Sequence, residues 1–334
     1  MTSQSHQPNQ RRSIFPEPLM VPPHSTTLPH TQTFILLHGR GSSASIFGPA
    51  ILSTPFPIPN HPPTTNDTKS FESTATLQTL FPAAKFLFPQ AAYSRATIYK
   101  RSLITQWFDS WHVHDVPSSG RNEWLMIDGL QQTVAYLHDL VQQEAALLPS
   151  GEAGVVLGGI SQGCAASLVS MVLWQGKPLA GVVAMCGWLP LAGEFDNGTG
   201  GEGDKFDPFE RLEEEADGAE CPAAGPGSAV IRSLRERLEL FPLHGQQDLP
   251  PSPPGALSTP VFWGHGTEDE KVPLQLGRKS VECLRSIGVD VSWHAYSGLG
   301  HWFSSMMLGD VAQFLQAKTN CGFQGESQVI NTTD

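Results

Sequence analysis

The pentapeptide Gly-Ile-Ser-Gln-Gly at 159–163 sets a serine between two glycines, directly after the apolar run AGVVLGGI. A nucleophile needs a sharp turn of this kind, so that its Oγ stands clear of the backbone. Glycines at 159 and 163 remove side chains that would collide there. The pattern is short, and average residue usage yields it by chance about one time in ten in a chain of this length. The rest of the sequence therefore has to supply partners for Ser161. A serine hydroxyl is a weak nucleophile at neutral pH and needs a base. Of the downstream histidines, His244 lies in a Gly/Pro-rich stretch, and His294 falls inside a β-like run. His265 belongs to a WGHG turn of structural character, like His38 in LLHG. His301, in SGLGHWF, stands in a glycine-rich loop between a β-like run and a helical one, and is the candidate general base. A base of this kind needs a carboxylate to fix its tautomer and stabilise its charged form. Asp269, in GHGTEDEKVP, follows another apolar run and is preferred to its neighbours Glu268 and Glu270. Two donors are needed for an oxyanion. The N–H of Gln162 follows the nucleophile directly, and the loop HGRGSS offers the N–H of Arg40, flanked by glycines 39 and 41.

These side chains must be brought together by a scaffold. TFILLHG (33–39), KFLFPQ (85–90), AGVVLGGI (153–160), GVVAMCG (181–187), TPVFWGHG (259–266) and VDVSWHAYS (289–297) read as strands. Between them, residues 122–148 carry Leu125, Leu130, Val134, Leu137, Val141 and Leu148 at helical spacings. Residues 161–175, 273–287 and 302–317 read as further helices. Strand–helix alternation predicts an α/β fold, a mostly parallel, doubly wound sheet with helices on both faces. Near-continuous apolar strands fit a sheet covered on both sides. In such sheets the chemistry gathers at the carboxyl ends of the strands. Ser161, Asp269 and His301 each follow a strand, and their chain order is that of α/β-hydrolases.

The alternation is broken twice. Residues 53–78 are Pro/Thr/Ser-rich, and residues 192–257 are acidic and then Gly/Pro-rich, with one helical patch at 228–241. Both are expected as surface insertions in a single domain spanning 31–318. The polar residues 1–30 and 319–334 are expected as disordered tails. The formal charge of −12 argues against nucleic acid or an anionic membrane as partner. The stretch 201–220 alone holds nine acidic and two basic residues, so the remainder is only mildly acidic. Five scattered cysteines without CxxC spacing fit neither a disulfide framework nor a zinc site. They suit a reducing compartment, the cytoplasm or also the nucleus. No secretory h-region and no run long enough to span a bilayer is read in the sequence.

LLHGRGSS, QWFDSW, GGISQGCAASL, CGWLPL, HGTEDEKVP and GLGHWF, in this order, resemble the acyl-protein thioesterase / phospholipase-carboxylesterase family of small serine hydrolases. The resemblance covers about 30–52, 79–191 and 258–318. It implies an α/β-hydrolase fold, no metal and no organic cofactor. It carries over the triad Ser161, Asp269 and His301, with Arg40 and Gln162 at the oxyanion positions. It also places Trp107, Phe108, Trp188 and Leu189 at an acyl groove. The implied activity is cleavage of acyl thioesters or carboxylic esters through an acyl-enzyme on Ser161, the substrate being an acylated protein, a lipid or a small ester. Lysophospholipid or small-ester hydrolysis stands as the alternative, and a non-catalytic binding protein as a third reading. The chain departs from the family pattern at Cys164, where the elbow usually continues with glycine, and at Ser42, where an acidic residue is usual.

Overall fold

The computed structural model describes residues 15–58, 74–111, 123–198, 226–240 and 254–318. Residues 1–14 of the first predicted tail, all of the second, residues 59–73 of the first predicted insertion and residues 199–225 and 241–253 of the second therefore lie outside the described residues.

The central sheet has seven strands. They are β1 (Leu19–Val21), β2 (Gln32–Leu37), β5 (Ala84–Phe88), β8 (Val155–Ile160), β9 (Gly181–Met185), β10 (Val261–Gly266) and β11 (Val291–Tyr296), in the spatial order β1-β5-β2-β8-β9-β10-β11. All pairings are parallel except β1 with β5. Two short hairpins stand apart, β3 (Phe56–Pro57) with β4 (Thr74–Ala75), and β6 (Tyr93–Ala96) with β7 (Ser102–Thr105). The helices are α1 (Ala44–Ser53), α2 (Leu77–Leu80), α3 (Trp124–Ala145), α4 (Gln162–Val172), α5 (Gly193–Gly198), α6 (Pro226–Arg237), α7 (Pro254–Ser258), α8 (Leu274–Ser286) and α9 (Ser305–Lys318).

Alternate strand residues feed two separate cores, as the period of two requires. Ile35, Leu37, Leu157 and Trp263 face one side, where Leu130 and Val134 of α3, Leu168 of α4 and Leu284 of α8 pack on them. Phe34, Leu36, Val156 and Phe262 face the other, under Phe47 and Ile51 of α1 and Leu308 and Val311 of α9. The doubly wound α/β architecture is as expected, with helices on both faces.

Three expectations need correction. Residues 15–30 are not a disordered tail: β1 adds an antiparallel edge strand, Leu19 opposite Phe88, and Phe15 stacks on Tyr136 with ring centroids 4.3 Å apart. Burying those apolar side chains ties down a segment whose prolines disguised it. The described ends of the first insertion are also built in, since Phe56 and Leu77 are buried in the second core. The second insertion is no mere surface excursion, because Val230, Ile231, Leu234 and Leu238 in and just after α6 are buried in the first core.

Candidate active site

The carboxyl ends of five parallel strands meet at one edge of the sheet, and the ladder's last rungs run on into the loops. Ser161 N–H donates to Met185 O at 2.9 Å, and Cys186 N–H to Gly264 O at 2.9 Å. Thr267 N–H donates to Tyr296 O at 2.9 Å, and Glu268 N–H to Leu299 O at 3.0 Å. The loops that bear Ser161, Asp269 and His301 are thus stitched edge to edge by backbone bonds.

Ser161 is the N-cap of α4, with φ 58° and ψ −123°. That conformation costs a non-glycine residue energy and persists only where its surroundings impose it. Here the surroundings are strand β8 on one side and a buried helix on the other. The flanking glycines have the steric role read in the sequence. A Cβ on Gly163 would stand 2.6 Å from His38 O, and one on Gly159 would stand 2.7 Å from Leu37 O. The β2 loop is therefore pressed against the turn. A Cβ on Gly39 would come to 3.3 Å from Ser161 Cβ and 3.8 Å from its Oγ, so the HGRG backbone lies beside the serine.

Of that loop's amides, Gly41 N–H donates to Thr105 O at 2.8 Å and Ser42 N–H to Gly39 O at 3.1 Å; the Arg40 N–H has no backbone acceptor among the described residues. Gln162 opens α4 at a position whose N–H has no intrahelical acceptor. The loop itself is anchored by His38. Its Nδ1 donates to Gly39 O at 2.8 Å and its Nε2 accepts from Ala91 N–H at 3.1 Å, which fixes the neutral tautomer. Burial pushes this imidazole down to about 4. The expected structural role of His38 is thus to hold the loop beneath Ser161.

Asp269 and His301 are paired. His301 Nδ1 donates to Asp269 Oδ2 at 2.8 Å and lies 2.9 Å from Oδ1. Asp269 Oδ1 also accepts from the amides of Lys271 and Val272, both at 2.9 Å. Its side chain is wholly buried, while that of His301 keeps 13% of its surface. Burial alone would raise the Asp269 carboxyl. The His301 hydrogen bond, the two amides and the His301 charge outweigh it, and the group sits below the usual carboxylate range. His265, fully buried, donates from Nε2 to Val272 O at 2.9 Å, and that nitrogen is 3.5 Å from Asp269 Oδ2. Glu268 and Glu270 do not join this pair. With Nδ1 engaged, the basic nitrogen of His301 is Nε2. The Cys186–Gly187 turn links this pair to the serine: Cys186 Sγ is 3.4 Å from Trp302 O, and a Cβ on Gly187 would stand 2.9 Å from Ser161 O.

The structure shows how the four expected groove residues are packed. Trp107, Phe108, Trp188 and Leu189 are buried to 2%, 2%, 7% and 2% exposure, inside the first core. Trp107 Nε1 donates to His38 O at 2.8 Å, and Phe108 meets Trp188 edge-on at 6.1 Å. Among the described residues these side chains pack against one another and against the loops beside the elbow. One role was missed in the sequence. The buried Gln162 side chain accepts from Trp107 N–H at 3.0 Å and donates to Phe108 O at 2.7 Å. The amide thereby clamps the QWFD segment against the elbow. Nothing in the local sequence signals a partner 54 residues away.

With this geometry in hand, comparison with known proteins places the chain. The profile of the phospholipase/carboxylesterase family matches residues 65–204 and 244–319. The acyl-protein thioesterase 1 of Gibberella zeae is 28% identical over 70% of this chain and 76% of its own length. The carboxylesterase SOBER1 of Arabidopsis thaliana is 25% identical over 86% of this chain and 91% of its own. The crystal structure of Zea mays acyl-protein thioesterase 2 superposes with a TM-score of 0.56 at 20% identity, over 91% of this chain and 99% of the other. That likeness shows the α/β-hydrolase fold. The matched segments hold the elbow, the Asp269–His301 pair and the helices behind them, and the chain belongs to the phospholipase/carboxylesterase family of α/β-hydrolase enzymes.

Proposed function

We propose that this enzyme is a serine esterase that acts through an acyl-enzyme on Ser161. The observation that carries the reading is the strained Ser161 elbow, joined by the end of one backbone ladder to a buried Asp269–His301 pair. In this mechanism His301 Nε2 takes the proton of Ser161 Oγ as the serine attacks the ester or thioester carbonyl. The N–H groups of Arg40 and Gln162 hold the oxyanion. His301 then protonates the leaving alcohol or thiol. Water, deprotonated by His301, attacks the acyl-enzyme and releases the acid. Asp269 holds the ring with Nδ1–H inward and stabilises the imidazolium.

The relatives named as thioesterase and carboxylesterase support esters and thioesters as the substrate class, acylated proteins and lipids included. No helix among the described residues is long and apolar enough to cross a membrane. The cytoplasm is the compartment we infer from the cysteine pattern.

The test uses a 4-nitrophenyl butyrate assay and a fluorophosphonate label. Wild type should turn over the ester and take the label, and Ser161→Ala should lose both by at least about a thousandfold. Unaltered labelling or hydrolysis in Ser161→Ala would remove the assignment, and no labelling of wild type would support the binding-protein reading.

A further inference from the structure

The reaction above uses one imidazole, yet two of them face the Asp269 carboxylate. Oδ2 lies 2.8 Å from His301 Nδ1 and 3.5 Å from His265 Nε2. His265 belongs to strand β10 and stands in register with Ala295 of β11. It is fixed to the sheet, whereas Asp269 stands in the loop beyond the strand. The Nε2–H of His265 donates to Val272 O at 2.9 Å, and the N–H of Val272 donates to Asp269 Oδ1 at 2.9 Å. Strand, turn and carboxylate are thus joined through Val272.

The slot around the ring leaves it little freedom. A Cβ on Gly277 of α8 would stand 2.6 Å from His265 Nδ1, and the ring lies 6.0 Å from that of Trp293 of β11. Nδ1 is sealed from water and has no partner among the described residues. An orphaned buried nitrogen is costly, and an apolar side chain in the same slot would avoid that cost. What the imidazole adds over such a side chain is the donor at Nε2. Burial keeps the ring neutral and the His301 charge adds to that effect, against the pull of the Val272 carbonyl and the Asp269 charge. From the loop after β9, the Cys186 thiol also faces Asp269, and burial holds it protonated.

We propose that His265 is a positioning residue of the reaction, which holds the Asp269 carboxylate against His301 by way of Val272. This rests on the esterase reading, and it gives the histidine of the WGHG turn a share in the chemistry. A carboxylate on a loop keeps its aim only if the loop is tied to something rigid, and misplacement by about 1 Å is enough to lower the rate severely. Strand β10 is the rigid element, and His265 is the tie.

A merely structural His265 would affect stability and leave the chemistry of the folded enzyme alone. The variants are His265→Leu and His265→Gln, whose amide nitrogen reaches about as far as Nε2 and can still donate to Val272 O. Both are assayed with 4-nitrophenyl butyrate well below their melting temperatures. His265→Leu should lower kcat by about 10- to 100-fold with KM little changed, and His265→Gln should recover much of the loss. In an Asp269→Asn background, His265→Leu should cost little more, because a residue that acts through Asp269 has nothing left to act on. Should His265→Leu not fold, His265→Asn replaces it, its amide being too short to reach Val272. Wild-type kcat in the folded variant, no recovery with Gln, or an equal loss in the Asp269→Asn background each overturns the inference while leaving the esterase reading intact. A second measurement needs no turnover. The protonation of His301 is followed by NMR on ring-labelled histidine. In His265→Leu it should move to lower pH, because the imidazolium loses its aligned carboxylate. An unmoved titration overturns the inference. If wild type turns over no ester, the esterase reading fails, and the NMR comparison alone decides whether His265 holds the pair.

Discussion

At the scale of single residues, the site depends on where side chains are missing as much as on where they are present. Cys164 shows this. It stands one position after the elbow's closing glycine, and local sequence offers no reason for it. The reason lies in Gly187: a Cβ there would overlap the Cys164 sulfur, and would stand 2.6 Å from Cys164 Cβ. The fully buried cysteine fills the space that the glycine leaves. Gly187→Ala alone should therefore cost about 2 kcal/mol through overpacking. Combined with Cys164→Gly, much of that loss should return, so the two changes are non-additive by about 1 kcal/mol in urea unfolding. Additive losses would show that the two residues do not share this volume. The sequence made Ser161, Asp269 and His301 legible because each stands in a loop just after an apolar run. It hid the Gln162 clamp and the Gly187–Cys164 fit, because both are contacts between distant segments. It could not give the packing of Trp107, Phe108, Trp188 and Leu189, since a tryptophan in a core and one in a groove look alike in a string of letters.

At the scale of elements, the strands were readable because burial on both faces makes them continuous apolar runs. Helix α1 was not, since ASIFGPAILS carries Gly48 and Pro49 in its interior, and its start is set by a cap, Ile46 N–H to Ser43 Oγ at 3.3 Å. Helix α6 was read as a patch but taken for part of an excursion. In fact Leu234 and Leu238 are 1% and 0% exposed, and Ser233 Oγ donates to Glu194 Oε2 of α5 at 2.5 Å. Arg237 reaches Glu123, just before α3, at 3.3 Å. Helix α6 is thus a brace against the layer of α3, α4 and α8 rather than a cover for Ser161. Leu234→Ala should cost about 3 kcal/mol, a cavity-forming loss, and lower the melting temperature with little change in KM. Deleting 194–256 should likewise destabilise the chain. A deletion variant with unchanged melting temperature and altered KM would mark the segment as a lid instead.

At the scale of the whole molecule, the fold holds several imidazoles neutral in places scattered from the start of β2 to helix α3 and the loops around the site. Burial is the leading cause that holds His30, His38, His138 and His265 below the ordinary histidine range, His38 at about 4. In the unfolded chain each would titrate near 6.5. Between the folded and unfolded values the unfolded chain binds more protons, so stability rises with pH in that window and is lost as pH falls through it. The full contribution is present above about 6.5. For His38 alone, a fall from 6.5 to about 4 corresponds to roughly 3 kcal/mol when fully developed. The depressed Asp269 carboxyl acts in the same direction but in a lower window, its stabilisation being lost only as pH falls below the usual carboxylate range. Unfolding free energy, measured by urea titration at fixed ionic strength, should therefore decline steadily from pH 6.5 to 4.5. Because several histidines share the window, the slope should exceed the limit for one group, about 1.4 kcal/mol per pH unit. A flat profile over that range would mean that these imidazoles are hydrated or charged in the folded protein, and the neutral His38 that anchors the loop beside Ser161 would fall with them.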